Sequence, residues 1–275
     1  MLVRVPASSA NLGPAFDALG LALDLHLEVG FSTGAPDEPA AVDDHHPTLV
    51  AFRRMGGHGA LWVRSPIPSG RGLGFSGAAR VGGLLTAVVQ RDGVAGVAAA
   101  TTEILEIATA LEGHADNVAA SLFGGVVATA AGRAVPVPLT FDPTVVVWAP
   151  RTSTATEESR RRIHRPIPFG DAVFNVGRTA LLVAALAAGD VESLRRATED
   201  RLHQGPRFER APESRAALDA GLAAGAWCGW LSGSGPSVAM LCSHDSTEGI
   251  VAALPGGGSA KVLRIDHAGA SVEAG

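Results

Sequence analysis

Pro66-Ile67-Pro68-Ser69-Gly70-Arg71-Gly72-Leu73-Gly74-Phe75-Ser76-Gly77-Ala78-Ala79 separates a short apolar run, 60–64, from a stretch of small and apolar residues, 76–90. The first reads as a strand and the second as a buried helix, although Gly82 and Gly83 lower its helical propensity. A glycine-rich link between strand and helix brings bare backbone N–H groups to a helix N-terminus. The helix dipole adds partial positive charge there, and the combination suits phosphate. Ser76, at the helix start, offers a hydroxyl to phosphate or to a magnesium ion. The stretch also matches a formal dinucleotide fingerprint, Gly72-x-Gly74-x-x-Gly77. That match fails on context: Asp92 falls near the acidic spacing, but a helix precedes it and a Gly/Ala-rich segment follows.

Composition narrows the alternatives. The 275 residues carry 22 basic and 27 acidic side chains, a net charge of −5 that argues against a general nucleic-acid binder. With 47% hydrophobic and 18% charged residues the chain can bury a full core. Its one lysine, Lys261, is followed by valine, so neither a Walker A loop nor a protein-kinase strand lysine is present. Cys228 and Cys242 have no metal-ligand spacing and read as small buried hydrophobes in a reducing cytoplasm. The N-terminus shows no targeting pattern, and the charge-free run 220–243 is broken by glycines, serines and Pro236, so a soluble protein without a membrane partner is expected.

Along the chain, 2–7 reads as a strand followed by a polar turn at 8–14, and 25–31 alternates as a half-buried strand. A helix is expected at 101–111, strands at 126–130, 134–139 and 144–149, then helices at 171–188, 191–202 and 214–224. Strand, glycine loop and strand follow at 227–242. This order predicts an α+β protein in two layers, with units 1–150 and 151–275.

Two further polar constellations interrupt this pattern. Glu112-Gly113-His114-Ala115-Asp116-Asn117 looks like a site edge, where Glu112 or Asp116 offers oxygen to a hard cation and an acidic helix end with an Asx turn is the plain alternative. Leu231-Ser232-Gly233-Ser234-Gly235-Pro236-Ser237 is a glycine-rich hairpin or a third part of a site. Arg160, Arg161, Arg162, Arg165 and Arg207 are a basic set from which one or two could clamp a carboxylate.

Taken together, these segments resemble the GHMP kinase superfamily, and within it the chain is similar to homoserine kinases. The run 5–20, VPASSANLGPAFDALG, is nearly that family's first motif; the Pro-x-x-x-Gly-Leu-Gly loop is its phosphate motif, and Ser232-Gly233-Ser234-Gly235-Pro236 its third. The resemblance implies a two-domain fold, ribosomal-protein-S5-like then ferredoxin-like, with ATP between the domains. It implies transfer of a phosphoryl group from ATP to the side-chain hydroxyl of L-homoserine. By position, Gly70, Arg71, Gly72, Leu73, Gly74, Ser76, Gly77 and Ala78 would wrap the triphosphate, while Ser76 and Glu112 would hold Mg²⁺, with Glu106 a looser alternative. Asn11, Asp17 and Asn117 would contact homoserine, and Arg160 and Arg207 would clamp its carboxylate. Asn117 stands where many relatives have an aspartate, leaving a phosphate oxygen or Thr156 to take the proton. A homodimer is a family-level expectation.

Two departures bear on activity. The family loop usually reads Gly-Leu-Gly-Ser-Ser-Ala-Ala; here Phe75 replaces the first serine and Gly77 an alanine, which points to a weakened or shifted activity. Ala15 replaces a usual glycine, a mild change unless the position needs positive φ. A kinase for another small hydroxy compound, or a kinase-derived sensor without turnover, are the competing readings.

Overall fold

The computed structural model describes residues 1–33, 39–152 and 166–273. Two antiparallel sheets with helices make up the α+β fold. Among the described residues the second sheet has four strands and the first has six. Its spine is the pair β1 (Leu2–Ala10) and β2 (Leu19–Phe31), in register from Val3↔Val29 to Ala10↔Gly20 with one shift at Pro6/Ala7. Val3, Val5, Leu21, Leu23, Leu27 and Val29 are buried along it. β1 runs three residues beyond the expected strand. Ser8 and Ser9, read as turn residues, lie fully buried within it because their hydroxyls find partners from distant segments.

The other edge of β2 is shared. β3 (Leu61–Arg64) pairs with Glu28–Phe31, and β4 (Val126–Ala130) with Leu19–Leu21. The interval between them is filled by a segment from near the end of the chain. Asp24 donates its N–H to Arg264 O (3.1 Å), Asp266 donates to Ala22 O (3.2 Å), and Leu23 bridges Ile265. His26 Nε2 meets Asp266 Oδ2 at 2.7 Å. The chain then runs on to β10 (Ser271–Glu273), which pairs with Leu2–Arg4, while β5 (Arg133–Val137) closes the far side on β4.

Helices α2 (Phe75–Asp92), α3 (Val97–Glu112) and α4 (Asp116–Phe123) pack together on this unit, with α1 (Pro47–Arg54) across α2. Gly82 and Gly83, which weaken the helix by propensity, are required by packing. A Cβ on Gly82 would stand 2.8 Å from Val29 Cγ2, and one on Gly83 would overlap the Thr48 carbonyl oxygen of α1. α1 and α4 have no counterpart in the sequence reading. α1 starts at Pro47 behind a His46 cap whose ring nitrogen accepts from Thr48 N (3.2 Å), and α4 begins inside the polar run read as a loop.

β6 (Thr144–Pro150) belongs to the second sheet, between β8 (Val238–Cys242) and β9 (Gly258–Leu263), with β7 (Cys228–Leu231) on β8. The forward run of the first sheet thus ends at Val137, thirteen residues before Pro150 at the end of β6. Alternation sorts β6 by face. Val146 and Trp148 join a cluster with Leu218 and Ile250 from α8 (Pro212–Ala223) and α9 (Thr247–Ala253). Val145 and Val147 join the larger core, which also takes Leu182, Leu186 and Leu194 from α5 (Phe169–Ala188) and α6 (Val191–Ala197). Cys228 and Cys242 are free and buried, and burial pushes the Cys228 thiol up to about 12. The stretches Val94–Glu112 and Phe169–Ala188 are long and apolar enough to cross a membrane by count alone, but each packs on neighbouring helices of this fold.

Two glycine substitutions should move stability in opposite directions. Gly83→Ala is expected to cost about 1–3 kcal/mol through overlap with a backbone atom. Gly177→Ala, in an exposed turn of α5 with no atom in reach of a new Cβ, should gain up to about 1 kcal/mol. Thermal melts of the two variants test both signs.

Candidate active site

The glycine loop between β3 and α2 places Gly70, Gly72 and Gly74 in the left-handed region, with φ of 67°, 72° and 69°. Side chains rarely adopt that region, and space excludes them too: a Cβ on Gly72 would overlap Ser232 O, and one on Gly74 would overlap Ser8 Oγ. Gly74 caps α2 without a side-chain bond, so the first N–H groups of the helix, from Phe75 onward, stay open to an anion.

Side chains from both sheets hold the loop. Trp230 Nε1 donates to Ser9 Oγ (2.9 Å), Ser9 and Ser232 share a hydrogen bond (2.7 Å), and Ser232 Oγ donates to Gly72 O (2.6 Å). Ser8 N donates to Leu73 O (3.2 Å). The Arg71 guanidinium reaches Pro150 O and Arg151 O, so this residue ties the loop to the end of β6.

A cavity of about 240 Å³ opens where these segments meet. Gly70, Gly72, Leu73, Gly74 and Ser76 line it from the loop, and Asn11, Asp17, Glu112, Asn117 and Arg207 from elsewhere. Gly77 and Ala78 are buried behind it, and a Cβ on Gly77 would stand 3.3 Å from Asn117 Cβ. Thr156 and Arg160 lie outside the described residues. Phe75 also lines the cavity, with its ring edge-on to His46 at 5.9 Å.

Each polar wall has a local cause. Asn11 and Asp17 both sit at positive φ, 72° and 57°. The Asn11 amide donates to Gly233 O (2.9 Å) and accepts from Asp17 N (3.0 Å), which folds the first motif into a loop over the third. Ala15 is buried and is not among the positive-φ residues, so the position does not need glycine. At the other wall Ser121 donates to Ser8 (3.2 Å) and Ser8 to Asn117 Oδ1 (2.9 Å), leaving the Asn117 NH₂ as the group for a ligand. Asp116, 1% exposed, accepts from Asn117 N (2.7 Å) and from the His114 ring (2.6 Å). Ligating atoms of Asp17, His114 and Asp116 lie within 4.8 Å of one another, so the first and second motifs converge.

Glu112 ends α3 beside Ser76, whose Oγ donates to its Oε2 (3.0 Å), whereas Glu106 is exposed on the outer face of the same helix. Arg80 forms an ion pair with the same carboxylate, and burial lowers the affinity of its guanidinium for a proton. Arg80 is marked in the sequence only by its spacing of four from Ser76, which puts both on one helical face.

A further part of the cavity lining is built on α7 (Gln204–Phe208). Arg207, 7% exposed, donates from Nη1 to His203 Nδ1 (2.9 Å) and Gly233 O (3.1 Å) and lies over the Phe16 ring. The helix expected over 191–202 ends at Ala197, because Asp200 turns the chain. Its carboxylate accepts the N–H groups of Leu202, His203 and Gln204 and the Asn175 amide. Burial pushes Asp200 up, and the His203 ring, the Asn175 amide and backbone N–H groups outweigh it and hold the group below its usual range. Burial lowers His203 to about 4, with Arg207 acting the same way and Asp200 opposing.

Family models for the N-terminal domain and the C-terminal domain of GHMP kinases match residues 46–125 and 182–260. The chain belongs to the GHMP kinase family. Within that family, homoserine kinases are among the relatives it matches over most of its length. It is 36% identical to the homoserine kinase of Caldanaerobacter subterraneus over 90% of this chain and 85% of the relative. It is 39% identical to that of Gloeobacter violaceus over 91% and 90%. The crystal structure of homoserine kinase from Cytophaga hutchinsonii superposes with a TM-score of 0.84 at 25% identity, covering 98% of this chain and 96% of that one.

A buried neutral imidazole contributes stability that is complete above its ordinary value of 6.5 and is withdrawn as pH falls toward about 4. The melting temperature should therefore drop across that window, and His203→Gln should flatten that part of the profile.

Proposed function

We propose that the chain transfers the γ-phosphoryl group of ATP to the side-chain hydroxyl of L-homoserine, forming O-phospho-L-homoserine. The observation that carries this reading is the cavity itself. It is lined by a glycine loop running into an open helix N-terminus, and also by a carboxylate, Asp17, and a guanidinium, Arg207. That pairing suits a phosphate donor beside a small zwitterion, and favours an amino acid over a sugar or an isoprenoid alcohol.

In this reading the loop N–H groups receive the phosphates, Asp17 faces the ammonium group and Arg207 takes the carboxylate. The Asn117 NH₂, fixed by Ser8, donates to the acceptor hydroxyl and orients its oxygen. That oxygen bonds to Pγ as the bond from Pγ to the β–γ bridging oxygen breaks, ADP leaves, and the hydroxyl proton passes to a phosphate oxygen. Positioning and charge neutralisation supply most of the catalysis in such transfers, so an amide in place of a base is sufficient. Ser76 Oγ and the Glu112 carboxylate are a hard-oxygen pair at the right end of α2 to hold Mg²⁺, which would neutralise phosphate charge. Phe75 removes one hydroxyl from the cradle, but its ring packs against His46 and Ser76 keeps its place beside Glu112. A soluble cytoplasmic enzyme, with no nucleic-acid or membrane partner, accords with this chemistry.

The test is coupled ADP release with Mg-ATP and L-homoserine against L-serine, L-threonine, mevalonate and galactose. Turnover specific to L-homoserine is expected; turnover with another compound alone would overturn the substrate, and ATP binding without turnover would favour a sensor. Asn117→Ala should lower kcat/KM by on the order of 10²-fold through lost orientation, and unchanged kinetics would remove its role. Glu112→Gln should raise the Mg²⁺ concentration that gives half-maximal rate, read from a magnesium titration at fixed ATP.

A further inference from the structure

His203 is 1% exposed, makes two directional hydrogen bonds and has no part in the chemistry above. Its Nε2 lies 2.7 Å from Gly13 O. A carbonyl only accepts, so Nε2 carries the proton and Nδ1 presents a lone pair. That lone pair accepts from Arg207 Nη1 at 2.9 Å, while Gly233 O accepts from the same Nη1 at 3.1 Å. Both acceptors are neutral, and together they fix the guanidinium plane relative to two motifs at once. Gly13 belongs to the loop that carries Asp17, and that loop is pressed on the segment before His203: a Cβ on Gly13 (φ 94°) would overlap Thr198 O. The Asn175 amide extends the contact, bonding both Pro14 O (2.9 Å) and Asp200 Oδ1 (2.7 Å), and Asp200 in turn orients the His203 backbone.

We propose that His203 is a positioning residue that sets Arg207 at a fixed distance from the Asp17 loop, and so controls the affinity of the site for the amino-acid substrate. The inference rests on the assignment of Arg207 to the substrate carboxylate. It acts through one proton position: the tautomer imposed by Gly13 O is the one that leaves an acceptor for Arg207. A side chain that only filled the volume would keep the packing and lose the alignment.

The test uses the full chain with Mg-ATP and L-homoserine. His203→Leu should raise KM for L-homoserine by on the order of 10- to 100-fold, the range for a hydrogen bond to a charged group, with KM for ATP little changed. His203→Asn keeps an acceptor at the Nδ1 position and should recover much of the loss; His203→Gln reaches Gly13 O but lacks that acceptor, and should not. In an Arg207→Met background the change at His203 should have no further effect on KM, because its route to the substrate has been removed. Additive losses in the two backgrounds, equal rises in both KM values, or rescue by Gln and not Asn would each overturn the proposal. If the Leu variant fails to fold, the Asn and Gln pair decides alone. An Arg207→Met enzyme with unchanged KM for L-homoserine would overturn the carboxylate assignment and this proposal with it. Raised KM in Arg207→Met alone would sink only the role of His203.

Discussion

The relay from Trp230 through Ser9 and Ser232 to the Gly72 carbonyl is the interaction on which the site depends. It joins a strand of the second sheet, a strand of the first and the loop between β3 and α2, with residues 221 and 223 positions apart in direct contact. Ser9 and Ser232 are both fully buried, so each hydroxyl left without a partner would cost about 1–3 kcal/mol. The geometry that satisfies them therefore also fixes where the loop lies. A wider separation of the sheets would break the relay, and a closer one would drive Ser232 O into the backbone at Gly72.

Within that frame the alternating left-handed glycines turn a loop into an anion receptor. Their φ values aim backbone N–H groups without any side chain to pack, and the uncapped start of α2 continues the same line of donors. Around the loop, the side chains of Asn11, Asn117 and Arg207 each hydrogen-bond with another residue: Gly233, Ser8 and His203. Neutral groups (amides, hydroxyls, carbonyls and one imidazole) thus take part in directing the side chains of the cavity, while Glu112 is also paired with the Arg80 guanidinium.

Much of this was legible in the chain. Local spacing marked Ser76, Glu112 and Asn117, and the alternation at 25–31 and the apolar run at 144–149 became strands of the two sheets. What escaped was fixed by contacts far apart in sequence. Ser8 and Ser9 look like turn residues until their partners, 109 and 223 residues away, are in place. Gly82 and Gly83 argue against a helix until Val29 and Thr48 are seen to need the room. Asp200 reads as an ordinary helix residue, yet its carboxylate gathers three backbone N–H groups and ends that helix early. Arg80 is a different kind of miss, since its four-residue spacing from Ser76 is visible in sequence and only its partner, Glu112, is not.

The return of the chain after β9 ties the two sheets together. Residues 264–266 fill the open interval on β2, and Ser271–Glu273 form the outer strand beside β1. The hydrogen-bonding edges of β1 and β2 are therefore completed by residues some 240 positions further along the chain. That segment lies beyond all four strands of the second sheet, so the first sheet closes only around a chain that has already passed through the second. The two sheets are interlocked by connectivity as well as by contact, and the first cannot be cut out of the protein as one continuous piece.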